Sequence, residues 1–323
     1  MHSTVRNAAE DWIRLMNVSY NKITATVIAA ALCLSMAACT ASDKSADPVV
    51  DMPSFEGASV SFLGPVGTYT QEACEKFFGE GISLTPYETV PDAVQALVDG
   101  ESDYAVIPQE NTIGGAVTDY IDTLISQPSV AVIGEVELPI SQNLLVLPGT
   151  SLSDITVVYS HKQGIAQGRD WLAANLPDAE VIEVSSTAEG ARMVSEGGDH
   201  SCAAIASAGC ADVYGLEVLA PAIQNNDKNV TRFYVLAKCE PVVRASGRTA
   251  FIASGSASDI PALLSSLAER NITLIAIHDR PLKTELGQYY YIIECSHIDY
   301  SKYVKITDAS PMEFRFLGDL DAV

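Results

Sequence analysis

From Ala58 onward, short aliphatic or β-branched runs alternate with segments of helical period, and this alternation limits the fold more than any other feature of the chain. Residues 60–63 read as a strand that leads into a glycine-rich turn, and residues 69–78 place Ala73 and Phe77 on one face of a helix. A second helix is expected over 92–99, then an apolar strand over 104–108, a glycine-containing loop and a helix over 116–125. Strands separated by helices pair in parallel across crossovers, so the region is α/β. The pattern continues with strands over 136–147, 156–159, 181–184, 203–206 and 233–237, and with helices over 166–174 and 188–196. Two α/β lobes with a cleft between them follow, and ligands in such sheets bind at strand carboxyl ends. The first lobe is expected to hold residues 58 to about 135 together with the late strand near Phe233.

Pro241, Ser246 and Gly247 interrupt the pattern. Beyond them come a strand over 249–253, a helix over 261–270, a strand over 273–279, a turn around Gly287 and a strand over 289–296. That βαββ order predicts a second, small α+β domain over residues 247–323. With 48% apolar residues in 323, both units have enough material for a core.

The chain carries 41 acidic and 19 basic side chains, a formal charge of −22. Such a field repels nucleic acid and anionic lipid, which excludes nucleic-acid binding as the function. It also repels dianionic substrates at long range. A site for one must therefore be built from a few local cations and oriented N–H groups. Seven cysteines are present, without CxxC or Cys/His metal spacing, so no metal site is expected.

The first residues differ from the rest. After Met16 a polar stretch ends at Lys22, an uncharged apolar run spans 23–38, and Cys39 follows. The run is shorter than the roughly 20 residues that a spanning helix needs and has the layout of an export signal. Met36, Ala37, Ala38 and Cys39 resemble the lipobox of bacterial lipoproteins, in which the signal (1–38) is removed and Cys39 is acylated. Residues 39–57 then form a tether, and the protein sits outside the cytoplasm, held to the membrane by that lipid alone. The alternatives are an uncleaved anchor, or upstream sequence added by a misplaced start, which leaves the protein cytoplasmic.

Four clusters carry chemistry. Gly64 to Thr70 follows a strand and opens a helix, where free N–H groups and the hydroxyls of Thr68 and Thr70 suit an anion, though a plain connecting turn looks the same. Glu110, Asn111 and Thr112 end a strand and either bind a polar ligand or cap the next helix. Tyr159, Ser160, His161, Lys162 and Gln163 sit similarly in the second lobe, where a lone histidine is more often a hydrogen-bonder than a catalyst. Asn229 to Phe233 precedes the late strand, and Arg232 offers a planar fork suited to a carboxylate or faces solvent. Taken singly these describe a two-lobed binder of a small anion.

Together, the GPVGTYT stretch, the ENT followed by two glycines, YSH with Gln163 beyond it, Ser186 and Thr187 before a helix, and NVTRF resemble the prephenate dehydratase family in order and approximate spacing over residues 58–240. The resemblance implies a catalytic region of two periplasmic-binding-protein-type lobes. It also implies a reaction that expels the ring hydroxyl and carbon dioxide of prephenate to give phenylpyruvate, a step of phenylalanine biosynthesis that needs no cofactor. It assigns catalysis to Thr231, with Asn111 and Gln163 as substrate-positioning donors. Thr68, Thr70, Glu110, Ser160, Ser186, Thr187 and Phe233 would line the pocket, and Arg232 would supply positive charge. Two positions depart from the family pattern: Lys162 stands where proline is common, and Gln142 where histidine is usual.

The C-terminal region resembles the ferredoxin-like ACT domain of the same enzymes, which binds phenylalanine between paired domains. Ser258, Asp259 and Ile260 align with one effector motif, and His278, Asp279, Arg280 and Pro281 with the other. Only part of each motif survives, and acidic Asp259 would repel an amino-acid carboxylate, so weak or altered phenylalanine sensing is expected. Helix capping is the alternative role for Ser258 and Asp259. The resemblance further implies a homodimer or tetramer. A non-catalytic solute-binding lipoprotein is the strongest rival function, but it does not explain NVTRF joined to an ACT-like tail; a sensor that keeps the lobes without turnover is a third reading.

Overall fold

The computed structural model describes residues 55–239, 241 and 247–320. The expected signal, Cys39 and most of the tether lie outside the described residues, as does most of the expected boundary near residue 243.

The chain first forms β1 (Ser59–Leu63), α1 (Tyr69–Phe78), β2 (Ser83–Tyr87), α2 (Val90–Asp99), β3 (Tyr104–Asn111), β4 (Gly115–Ala116), α3 (Thr118–Ser126) and β5 (Ala131–Pro139). Local signals set these bounds. For α2, the Thr89 side chain accepts from the Asp92 N–H, proline stands in the first turn, and Gly100 ends the helix in the left-handed region at φ 79°. Edge strand β2 escaped sequence analysis because it is mostly exposed and carries Pro86, which only a sheet edge tolerates.

The second lobe comprises β6 (Asn143–Val146), β7 (Val157–Ser160), α4 (Lys162–Asn175), β8 (Glu180–Glu183), α5 (Thr187–Gly197), β9 (Cys202–Ala206), α6 (Gly209–Tyr214) and β10 (Glu217–Ala220). Its sheet runs β10-β6-β9-β7-β8. The chain then returns to the first lobe as β11 (Val230–Ala237), which lies antiparallel between β3 and β5 in the order β2-β1-β3-β11-β5. The single strand expected over 136–147 is therefore corrected to two, one in each lobe. Between them the Ile140 N–H donates to the Asn229 carbonyl (2.8 Å) and the Gln142 carbonyl accepts from the Ile223 N–H (2.8 Å). The two crossing segments are thus bonded to each other, and Gln142, where the family pattern has histidine, lies in that hinge and donates to Gln167 of α4.

The C-terminal domain contains β12 (Arg248–Ser256), α7 (Ile260–Glu269), β13 (Leu274–Pro281), β14 (Gln288–Ser296), α8 (Tyr300–Asp308) and β15 (Glu313–Leu320). Its antiparallel sheet has the order β13-β14-β12-β15, a βαββαβ sandwich that completes the order expected from sequence. One face packs on its helices through Phe251, Leu263, Leu267 and Ile293. The other face shares a core with the first lobe, in which Ala250, Ile252, Ile292 and Leu317 meet Ile107, Tyr120, Leu124 and Tyr234. No helix among the described residues is long and apolar enough to cross a membrane.

Candidate active site

Because β1 and β3 are parallel and β11 is antiparallel to β3, the end of β1, the end of β3 and the start of β11 share one edge of the first sheet. The turn after β1 meets the second lobe there. The Gly67 carbonyl accepts from the Ser207 hydroxyl (2.9 Å) and the Cys210 thiol (3.0 Å), and the Tyr214 hydroxyl donates to the Val66 carbonyl (2.9 Å).

Thr231 and Asn111 are direct partners in the β11–β3 register. Asn111 Nδ2 donates to Thr231 Oγ1 and to Asn229 Oδ1, both at 2.8 Å, while Asn111 Oδ1 accepts from the N–H groups of Ile113 and Gly114, both at 2.9 Å. An amide has two donor hydrogens and one two-lone-pair oxygen, so the Asn111 side chain is fully used. Asn111 therefore orients Thr231 and the glycine loop, and has no donor left for a ligand. With its oxygen receiving that bond, the Thr231 hydroxyl keeps its own proton for another acceptor.

Across the cleft, Gln163 stands in the first turn of α4 behind the His161 cap, whose Nδ1 accepts from the Gln163 N–H (3.3 Å). Gln163 Nε2 lies 3.3 Å from where a side chain on Gly114 would begin. The structure thus brings Gln163 to the loop that Asn111 holds. The fit depends on Gly164, where a Cβ would fall 2.5 Å from Ser160 Oγ and 3.1 Å from Thr187 Cγ2. Thr187 accordingly lies beside Gly164, while the Ser186 hydroxyl accepts from the Glu189 N–H (3.0 Å) as the cap of α5.

One residue was missed. Asn229 is 1% exposed, accepts from Asn111 and has no partner for Nδ2. A buried donor without an acceptor is costly, and here it adjoins Thr231. Its sequence signal was only its place at the head of NVTRF.

Other expected pocket residues point elsewhere. The Ser160 hydroxyl is completely buried and donates to the Ile205 carbonyl (2.7 Å), and Phe233 is 2% exposed in the core with Phe62, Phe77 and Val136. Thr70 is buried in the first turn of α1, and the Thr68 hydroxyl donates to the Leu63 carbonyl (3.2 Å). Arg232 is corrected most. Its guanidinium donates to Glu110 (3.0 Å), to Glu135 (2.8 Å) and to Glu294 of β14, leaving it committed to protein carboxylates rather than to a ligand. Arg248 joins the same cluster through Glu135 and through Glu137 (3.0 Å).

In the C-terminal domain, the Ser256 hydroxyl accepts from the Ser258 N–H (3.2 Å), and Asp259 makes no capping bond. Capping is therefore not what Ser258 and Asp259 supply. Asp279 is paired in register with Tyr291, whose hydroxyl pKa is raised by burial and then by Asp279, Tyr289 and Asp259. Asp259, at the head of α7 beside Ile260, and Asp279 thus both disfavour negative charge at the Tyr291 hydroxyl. Arg280 is held by Asp122 of α3, with Nε donating at 2.6 Å. Among the described residues no cluster of His, Cys, Asp or Glu has the form of a metal site.

Two α/β lobes that bring Thr231, Asn111 and Gln163 together define a class of small-ligand proteins, and comparison narrows it. A family model described as Prephenate dehydratase matches residues 60–241. The chain is 37% identical over 238 residues to a bifunctional chorismate mutase/prephenate dehydratase of Neisseria gonorrhoeae, covering 73% of this chain and 66% of that one. It therefore spans just under two thirds of that relative's length. It is 32% identical over 248 residues to a prephenate dehydratase of Bacillus subtilis, covering 73% of this chain and 87% of that one. A solved prephenate dehydratase of Arthrobacter aurescens in complex with L-Phe superposes with a TM-score of 0.74 at 30% identity, covering 81% of this chain and 89% of that one. The chain belongs to the prephenate dehydratase family.

The Arg232 cluster is testable by pH. Burial raises the Glu135 carboxyl above its ordinary 4.5, against the opposing pull of Arg232 and Arg248. A carboxyl so raised favours folding fully below its unfolded value and loses that contribution as pH rises through the folded value. The stability gap between the parent and Glu135→Gln, from urea unfolding, is expected to shrink from acid to neutral pH. A gap that widens with pH contradicts this electrostatic reading.

Proposed function

We propose that the chain is a prephenate dehydratase, a carbon–oxygen lyase acting in phenylalanine biosynthesis. The observation that carries this is the bond from Asn111 Nδ2 to Thr231 Oγ1, which leaves the threonine proton for another acceptor. In the reaction, the bond from the ring to its carboxylate breaks and that carboxylate leaves as carbon dioxide. The electron pair of that bond enters the ring, and the bond to the ring hydroxyl breaks with its own pair passing to the oxygen, which takes a proton from solvent and leaves as water. Aromatisation drives the step, so the protein has to hold two carboxylates and stabilise the departing oxygen.

Thr231 is too weak an acid to surrender its proton and acts as a hydrogen-bond donor to the leaving oxygen, where charge grows in the transition state. Asn111 donating to the same hydroxyl strengthens that donor. Asn229 Nδ2, Gln163 and the N–H groups opening α1 and α4 supply neutral donors for the carboxylates, helped by the positive helix ends. Thr231→Ala is expected to lose about 10²-fold or more in turnover, followed by phenylpyruvate absorbance in purified protein supplied with prephenate. Near-normal turnover by that variant removes Thr231 from the mechanism.

We read the C-terminal domain as an ACT-type regulatory domain with altered effector chemistry. Its order and the L-Phe complex of the Arthrobacter relative support the assignment. Asp259 and Asp279 both act against negative charge at Tyr291, and Arg280 is engaged by Asp122. Both oppose capture of an amino-acid carboxylate, so phenylalanine is expected to inhibit weakly; tight binding with strong inhibition contradicts this. Edge strand β13 exposes Leu274 and Ile275, which supports self-association of the domain into dimers or tetramers. The export and lipidation of Cys39 remain part of the proposal on sequence grounds. The mass of the mature N-terminus decides them, and an unmodified chain starting at Met1 removes them.

A further inference from the structure

We propose that Glu294, a side chain of the C-terminal sheet, is a positioning residue for Thr231 and acts through Arg232 and Gln109. The inference rests on the dehydratase reading of the cleft.

Glu294 is completely buried where the C-terminal sheet packs on the first lobe. One of its oxygens accepts from Gln109 and the Tyr234 hydroxyl, the other from Arg232. Two of these three contacts fall beside the cleft residues. Arg232 follows Thr231 in β11, and Gln109 and Glu110 precede Asn111 in β3.

The register shows what these contacts govern. Phe233 pairs with Pro108 but Arg232 pairs with Glu110, so β3 carries one extra residue, Gln109, at a bulge. Without the bulge the pairing would continue as Arg232 with Gln109 and Thr231 with Glu110. With it, Asn111 stands opposite Thr231 and donates to its hydroxyl. Glu294 therefore fastens the bulged residue on one strand and the neighbour of Thr231 on the other.

Cohesion between the two sheets does not explain such a group. Ile292 and Leu317 already provide apolar contact there, and buried ion pairs exchanged for apolar residues are often neutral in stability. What a buried carboxylate with directed bonds adds is fixed geometry. The side chains are 62 residues apart in sequence and belong to different domains. The C-terminal domain is thereby a structural part of the cleft as well as an effector module.

The test is a double-mutant cycle on the full-length chain, with kcat for prephenate measured at high enzyme concentration. Glu294→Gln is expected to lower kcat about tenfold in the parent, since small misplacement of a reacting group is costly. In the Thr231→Ala background the same change is expected to cost less than about twofold, because nothing is left at 231 to misplace. Equal losses in both backgrounds overturn the inference, as general damage to the fold would act in both. If Glu294→Gln fails to fold, Tyr234→Phe, which removes one bond to Glu294, is put through the same cycle with the same two outcomes and a smaller expected loss. A parent chain that binds prephenate without turnover fails the dehydratase reading itself and the inference with it. A parent that turns over while the cycle is additive fails the inference alone.

Discussion

A strand presents alternate side chains to opposite faces of its sheet, and β11 uses both faces at the cleft. On one face Phe233 and Val235 join the core beneath α1; on the other, Tyr234 and Leu236 join the core shared with the C-terminal sheet. Thr231 and Arg232 continue this alternation to the strand's start. Thr231 takes a hydrogen bond from Asn111, and Arg232 enters a cluster of carboxylates from both domains. One returning strand therefore closes the first sheet, delivers the hydroxyl and joins the domains. For Arg232, burial opposes the charge, but Glu294 and Glu135 outweigh it and hold the guanidinium proton more tightly than usual.

The acidity of the chain constrains how the cleft handles an anion. A dianion approaches a protein of charge −22 against its field, and the arginine nearest to hand is already occupied by Glu110, Glu135 and Glu294. Neutral amide and hydroxyl donors at strand ends and helix starts carry no such conflict and cost no charge desolvation. Asn229 with its unused donor, Gln163 and Thr231 are groups of this kind, gathered from both lobes. Backbone bonds between residues 140–142 and 223–229 tie together the two segments that cross between the lobes.

Much of this was legible in the sequence because period and punctuation are local properties. Helix α1 is as expected from the placement of Ala73 and Phe77, and the late strand joins the first lobe as expected. Thr231, Asn111 and Gln163 were found from the order of short motifs, and the structure brings them together. What sequence did not reveal depends on partners far along the chain. Ser160 looks like a ligand hydroxyl until Ile205 is laid beside it, and Arg232 looks free until Glu294 arrives 62 residues later. The role of Asn111 changed for a similar reason, since four hydrogen bonds consume a side chain that in sequence resembled a free donor. The Gln109 bulge leaves no mark in a hydrophobic pattern at all.

Where the substrate lies decides the role of Thr231. A crystal structure of Thr231→Ala with prephenate bound tests this most directly. The ring hydroxyl is expected within hydrogen-bond reach of position 231, with carboxylate oxygens on Asn229 Nδ2 or Gln163 and Arg232 still bound to Glu294. Prephenate seated on Arg232 with Glu294 displaced, or bound away from the cleft between the lobes, would contradict it.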